Sequence, residues 1–223
     1  PGYGHTLGNA LRRVLLSSLR GAAITSIRVN DTNHEFTSAD GVKEDIIEII
    51  LNLKSVRILY TGDEPITISL DVKGEKSVTA ADFKMPAGAE IINTDQVIAH
   101  IDNGKTLQIE AIVESGLGYV PTEKRDRSTL AIGMIAIDAI FTPIKKINYT
   151  VTNTRVGQAT DYDKIVLDIE TDGSISPSLA FKTASEILFN HIHRIHDQIE
   201  DSHEVPNVPK RIKKVRTNKK DNA

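Results

Sequence analysis

The stretch Ser176-Pro177-Ser178-Leu179-Ala180-Phe181-Lys182-Thr183-Ala184-Ser185-Glu186-Ile187-Leu188-Phe189-Asn190-His191-Ile192-His193-Arg194-Ile195-His196-Asp197-Gln198-Ile199-Glu200 decides how this chain is built. A serine followed by proline marks a helix start, because the hydroxyl caps free N–H groups and proline occupies the first helical position, where no N–H is needed. From there Phe181, Ala184, Leu188, Ile192, Ile195 and Ile199 fall within about 80° of one another on a helical wheel. A seam that long is how helices pack at shallow angles. Something apolar has to cover it. The chain's own first helix, the same helix of a second copy and the chain's own sheet all satisfy the spacing.

That first helix is expected over residues 6–19, with Thr6 as cap and Gly21 as stop. Leu7, Ala10, Leu11, Val14 and Leu15 gather on one face, and Arg12, Arg13, Leu16 and Arg20 on the other. Leu16 is the exception among arginines. A lone exposed leucine is ordinary on any surface, but one flanked by Arg13 and Arg20 also fits a protein–protein contact, where arginine is enriched. A further helix is expected over residues 42–53, capped by Asp40. It would bury Ile46, Ile49, Ile50 and Leu53 and turn Glu44, Glu48 and Asn52 outward. Between the helices the period is two. Residues 23–29, 34–37, 67–72, 108–113, 146–152 and 164–170 read as strands, and Asn103-Gly104 as a hairpin turn.

With 223 residues, of which 39% are hydrophobic and 26% charged, the chain has the make-up of a globular protein. It contains no cysteine, which excludes disulfides, Cys-ligated zinc, iron–sulfur clusters and thiol nucleophiles. There is no tryptophan, so aliphatic side chains must fill the interior. No apolar run reaches the roughly 18 residues a membrane span needs; the most apolar stretch, residues 130–141, is broken by Gly133 and Asp138. The sequence opens on Pro1, not Met, without signal-peptide character, and reads as starting mid-protein. Charge is lopsided: residues 205–223 carry a net +6, which leaves −9 on residues 1–204 out of the chain's total of −3. That tail, with Pro206, Pro209 and the run Lys210-Arg211-Ile212-Lys213-Lys214-Val215-Arg216, reads as a flexible linker or as an arm drawn to nucleic acid by phosphate attraction.

A search for chemistry returns little. His193 and His196 sit at the i, i+3 spacing of helical metal pairs, but lie on the polar side with Lys182 and Glu200, and His191 and His203 do not join them. The glycine-rich segments at residues 2–8 and 116–119 lack phosphate-loop spacing. No nucleophile elbow is present, and Asp161, Asp163 and Asp168 read as loop and strand-edge groups. The residues alone describe a non-catalytic α+β scaffold with a helical interface.

The segment Gly4-His5-Thr6-Leu7-Gly8-Asn9-Ala10-Leu11-Arg12-Arg13-Val14-Leu15-Leu16-Ser17-Ser18 closely resembles the signature of the bacterial RNA polymerase alpha subunit N-terminal domain family. The likeness continues in order through His34-Glu35-Phe36, Glu44-Asp45-Ile46-Ile47-Glu48-Ile49-Ile50-Leu51-Asn52-Leu53-Lys54, Val78-Thr79-Ala80-Ala81-Asp82, Gly116-Leu117-Gly118-Tyr119-Val120-Pro121 and Thr171-Asp172-Gly173-Ser174-Ile175-Ser176-Pro177. The resemblance implies a discontinuous helix-plus-sheet dimerisation subdomain, residues 1–20 and 144–204. A mostly-β subdomain, residues 21–143, is inserted in it, and residues 205–223 form a basic flexible tail.

The resemblance further implies a cytoplasmic homodimer that serves as assembly platform for the β and β′ subunits in transcription. It implies no catalytic residue, cofactor or metal in this chain, since the Mg²⁺ carboxylates of phosphoryl transfer lie on β′ in the family. Arg13 and Leu16 match positions used toward β; Glu48, Lys54, Ile137 and Thr142 match positions used toward β or β′. Leu7, Leu11 and Val14, with Leu188, Ile192 and Ile195, are the expected dimer face. The family has a strand-bearing segment ahead of the Gly-His-Thr-Leu-Gly-Asn motif and a small DNA-binding domain after the last helix. Neither falls within this sequence, so a sheet edge is expected to be short of a strand. DNA contact is expected only weakly, through the tail. A free-standing nucleic-acid-binding protein acting through that tail is the competing expectation.

Overall fold

The computed structural model describes residues 2–30, 32, 35–125, 130–131 and 133–201, with the backbone alone at 199–201. His34, His203, the Ile199 side chain and the basic tail of residues 205–223 therefore lie outside the described residues. In chain order the elements are α1 (Gly4–Ser17), β1 (Arg20–Val29), α2 (Ile46–Lys54), β2 (Ile58–Tyr60), β3 (Ile66–Lys73), β4 (Lys76–Thr79), β5 (Ala89–Ile91) and β6 (Val97–Ile101). They continue with β7 (Thr106–Leu117), β8 (Tyr119–Val120), β9 (Ile135–Ala136), β10 (Ala139–Ile140), β11 (Ile144–Val156), β12 (Ala159–Thr171) and α3 (Pro177–Asp201). The fold is α+β. One sheet runs β3-β7-β1-β2-β5, with β9 also on β1, while β10-β8, β11-β12 and β4-β6 form separate pairs. Among the described residues every ladder is antiparallel.

Two compact units divide the chain, Pro1–Leu188 and Phe189–Ala223. The first holds two apolar cores. The larger joins β1, α2, β3 and β7 through Ile27, Ile46, Ile49, Leu53, Ile68, Leu70, Leu107 and Ile109, all essentially inaccessible to water. The smaller gathers Leu15, Leu19, Ile144, Ile147, Ala180 and Ala184. In α2, nine residues are too few to hold a helix in water, so its three fully buried side chains, about 1.5–3 kcal/mol each, outweigh the cap at about 1 kcal/mol.

Several local expectations are corrected. Helix α1 begins at Gly4, with Tyr3 as a cap that makes no side-chain bond, so Thr6 lies inside the first turn. The orphan Gly4 N–H is instead satisfied by Asp163 Oδ2 at 2.7 Å, 159 residues away. The helix stops at Ser18, before Gly21. Gly21 is in β1 because nothing larger fits: a Cβ there would stand 1.9 Å from the Phe141 carbonyl oxygen, and one at its strand partner Gly116 would stand 2.7 Å from the Phe141 ring.

Helix α2 is capped by Asp45, whose carboxylate accepts from Glu48 N at 2.8 Å, and not by Asp40. Gly41 takes φ +73°, and Val42 bridges to Ile101, so the chain here lies along β6 instead of coiling. Glu44 consequently faces inward to His100, and Asn52 Nδ2 donates to Ile98 O at 2.9 Å. Glu35, Phe36 and Thr37 form a turn and bend, not a strand. Asn103-Gly104 does turn, with Gly104 at φ +78°, but makes no hairpin, because β6 pairs with β4 while β7 pairs with β1 and β3.

Candidate protein–protein interface

Glycine spacing decides which side of α1 faces inward. A Cβ at Gly4 would stand 2.5 Å from Val151 Cγ1, and one at Gly8 2.6 Å from the Tyr149 ring, so both glycines seat the helix on the β11–β12 hairpin. Leu15 completes that buried side, and Leu19, just past the helix end, joins the same core. The remaining surface carries Arg12 and Arg13, both exposed, with Leu16 36% and Leu7 44% exposed. Leu11 and Val14 are half-buried. The Arg13–Leu16 spot therefore stands at the surface. Arg20 does not flank it from the helix as expected: it opens β1 and pairs with Asp63 at 2.8 Å.

A second cluster forms where α2 ends. Lys54 Nζ lies 3.4 Å from Asp138 Oδ2, and Asp138 Oδ1 accepts from Thr122 N at 3.0 Å. The Tyr119 hydroxyl is a neighbour of the same carboxylate. The Thr122 N–H, the nearby Lys54 ammonium and the Tyr119 hydroxyl hold the Asp138 carboxyl below its usual range, against the opposing effect of burial. Tyr119 and Ile140 are cross-strand partners, which places both on one face, and both are exposed.

Of the expected contact residues, Glu48 is exposed on α2 and Thr142 is half-buried, its Oγ1 accepting from Ile144 N at 3.4 Å. Ile137 is a correction. At 3% exposure it belongs to the larger core, its N–H donates to Thr25 O at 3.0 Å, and its side chain offers no outer surface. Asp138, Tyr119 and Ile140 are not among the contact residues expected from the sequence. The one trace of them in the sequence is the lone carboxylate interrupting the apolar stretch of residues 130–141.

On α3 the capping expectation holds: Leu179 N donates to Ser176 Oγ at 3.3 Å. The seam is not uniformly covered. Ala184 is fully buried and Leu188 half-buried, whereas Phe181, Ile192 and Ile195 are exposed, as is Phe189, which the seam did not include. His191, His193 and His196 are exposed, and His193 Nδ1 is 3.3 Å from Asp197 Oδ1. Among the described residues no group of three or more His, Asp or Glu side chains is arranged to hold a metal ion, and no helix is long and apolar enough to cross a membrane.

A family model described as the RNA polymerase Rpb3/RpoA insert domain matches residues 27–142. A protein of Roseiflexus castenholzii named DNA-directed RNA polymerase subunit alpha is 50% identical over 198 residues, 88% of this chain and 61% of that protein. Proteins of the same name from Moorella thermoacetica and Alkaliphilus oremlandii are 50% and 48% identical over 191 and 192 residues, in each case 86% of this chain and 61% of the relative. The chain thus spans about three-fifths of the length of the curated relatives it matches.

Proposed function

Because this chain belongs to the RNA polymerase Rpb3/RpoA insert-domain family, whose model covers more than half of it, we propose that it works as the alpha subunit of a DNA-directed RNA polymerase. In that role it is a non-catalytic homodimer on which the β and β′ subunits assemble. The observation that carries this reading is the two-sidedness of α1: glycines and Leu15 lock one side onto the chain's own hairpin, while Arg13 and Leu16 remain outward. An outward arginine beside an apolar side chain suits a protein partner. The partly open apolar face of Leu7, Leu11 and Val14 and the exposed Ile192 and Ile195 of α3 suit a second copy. Glu48 and Lys54 are the second large-subunit contact, joined by Thr142 and not by the side chain of Ile137.

The deciding experiment is co-purification of the full chain with tagged β. Arg13→Ala removes an exposed side chain, so the protomer's thermal midpoint should stay put while retained β drops several-fold. Undiminished retention would remove Arg13 from the contact.

A further inference from the structure

Two donors from separate parts of the chain converge on one carboxylate. Thr122 N reaches Asp138 Oδ1 from the turn after β8, and Lys54 Nζ reaches Oδ2 from the end of α2 across 84 residues of sequence, with the Tyr119 hydroxyl of β8 a neighbour of the same group. The pair is partly shielded, with the Lys54 side chain 25% and that of Asp138 32% exposed. Such a pair adds little to folding stability. Its effect is on freedom: a lysine stem samples many rotamers unless something holds its head. The Lys54 carbonyl is engaged as well, accepting from Arg57 Nη1 at 3.5 Å. Beside the tethered ammonium, Tyr119 and Ile140 present a cross-strand pair that is 57% and 40% exposed.

We propose that Asp138 is the positioning residue of this surface: its carboxylate holds the Lys54 ammonium and the Tyr119–Thr122 turn in one arrangement, so that a partner meets Lys54, Tyr119 and Ile140 as a preformed patch. The partner segment this patch fits carries a carboxylate or a free backbone carbonyl for Lys54, next to an apolar side chain for Tyr119 and Ile140. Preorganisation of this kind raises affinity by lowering the ordering cost of association. The inference rests on the reading that Lys54 faces a large subunit.

The test is competition of the full alpha chain against tagged wild-type alpha for limiting β and β′. Asp138→Asn keeps an oxygen to accept from Thr122 N–H but removes the charge that holds Lys54. It should lower incorporation by about fivefold, with the thermal midpoint unchanged. Because Asp138 acts through Lys54, the Asp138→Asn/Lys54→Ala double variant should lose no more than Lys54→Ala alone. Tyr119→Phe, which removes the hydroxyl beside Asp138 and keeps the ring, should give a smaller loss in the same direction. Wild-type incorporation of Asp138→Asn beside a deficient Lys54→Ala, or losses that multiply in the double variant, would overturn the positioning role and leave the surface standing. Wild-type incorporation of Lys54→Ala would overturn the surface itself, and this inference with it.

Discussion

Ile192→Asp changes a side chain that is 57% exposed on α3 and belongs to neither apolar core. Any large effect must therefore come from what covers it in solution. Burying an isoleucine fully is worth at most about 3 kcal/mol, so covering the exposed part here is worth about 1–1.7 kcal/mol. A two-fold symmetric contact counts it twice, about 2–3 kcal/mol in all. An aspartate at the same place forfeits that gain and adds the cost of stripping water from an unpaired carboxylate, at least another 1–2 kcal/mol. The sum, about 4 kcal/mol, corresponds to roughly a thousandfold weaker self-association. Sedimentation velocity over a dilution series reads this directly, with circular dichroism as the check that each protomer is intact. A self-association constant within threefold of wild type would remove this face from the dimer contact.

Gly21→Ala should destabilise the protomer by about 3 kcal/mol or more, since its methyl group would meet a backbone oxygen that cannot swing away; urea denaturation measures it, and a change below about 1 kcal/mol would mean that the Phe141 segment yields easily. Glu44 gives a pH signature. Burial would raise its carboxyl, but hydrogen bonds from the His100 ring and the His100 N–H, at 2.6 and 2.7 Å, bring it below the ordinary 4.5. A depressed carboxyl contributes stability above its unfolded value and loses it as pH falls through the folded one. Wild type should therefore exceed Glu44→Gln in urea midpoint at neutral pH, with the gap narrowing below pH 4.5; a gap independent of pH would count against the clasp.

What could be read from the sequence was what local periodicity determines. Ser176-Pro177 marks the start of α3, and the alternation at residues 67–72, 108–113, 146–152 and 164–170 lies inside β3, β7, β11 and β12. The outward placement of Arg13 and Leu16 also follows from the wheel. What local pattern does not determine depends on partners far away in sequence. Asp40 and Asp45 are equally good caps by type; Gly41 at positive φ and the Val42–Ile101 bridge select Asp45. Asn103-Gly104 turns the chain, but only the tertiary fold shows that its two arms belong to different sheets. Gly21 looked like a helix stop because the Phe141 carbonyl that requires it comes from residues much later in the chain. The Asp138 cluster escaped for the same reason: its donors share no periodicity, and only the oddity of a charge in an apolar run hinted at it.

Phe141 touching both Gly21 and Gly116 has a topological consequence. The chain departs from the α1-and-hairpin body at Gly21 and comes back at Phe141, so exit and return share a single doorway. The start of β1 and the segment leading into β11 are thereby pinned side by side, and a side chain added at either glycine would push on both.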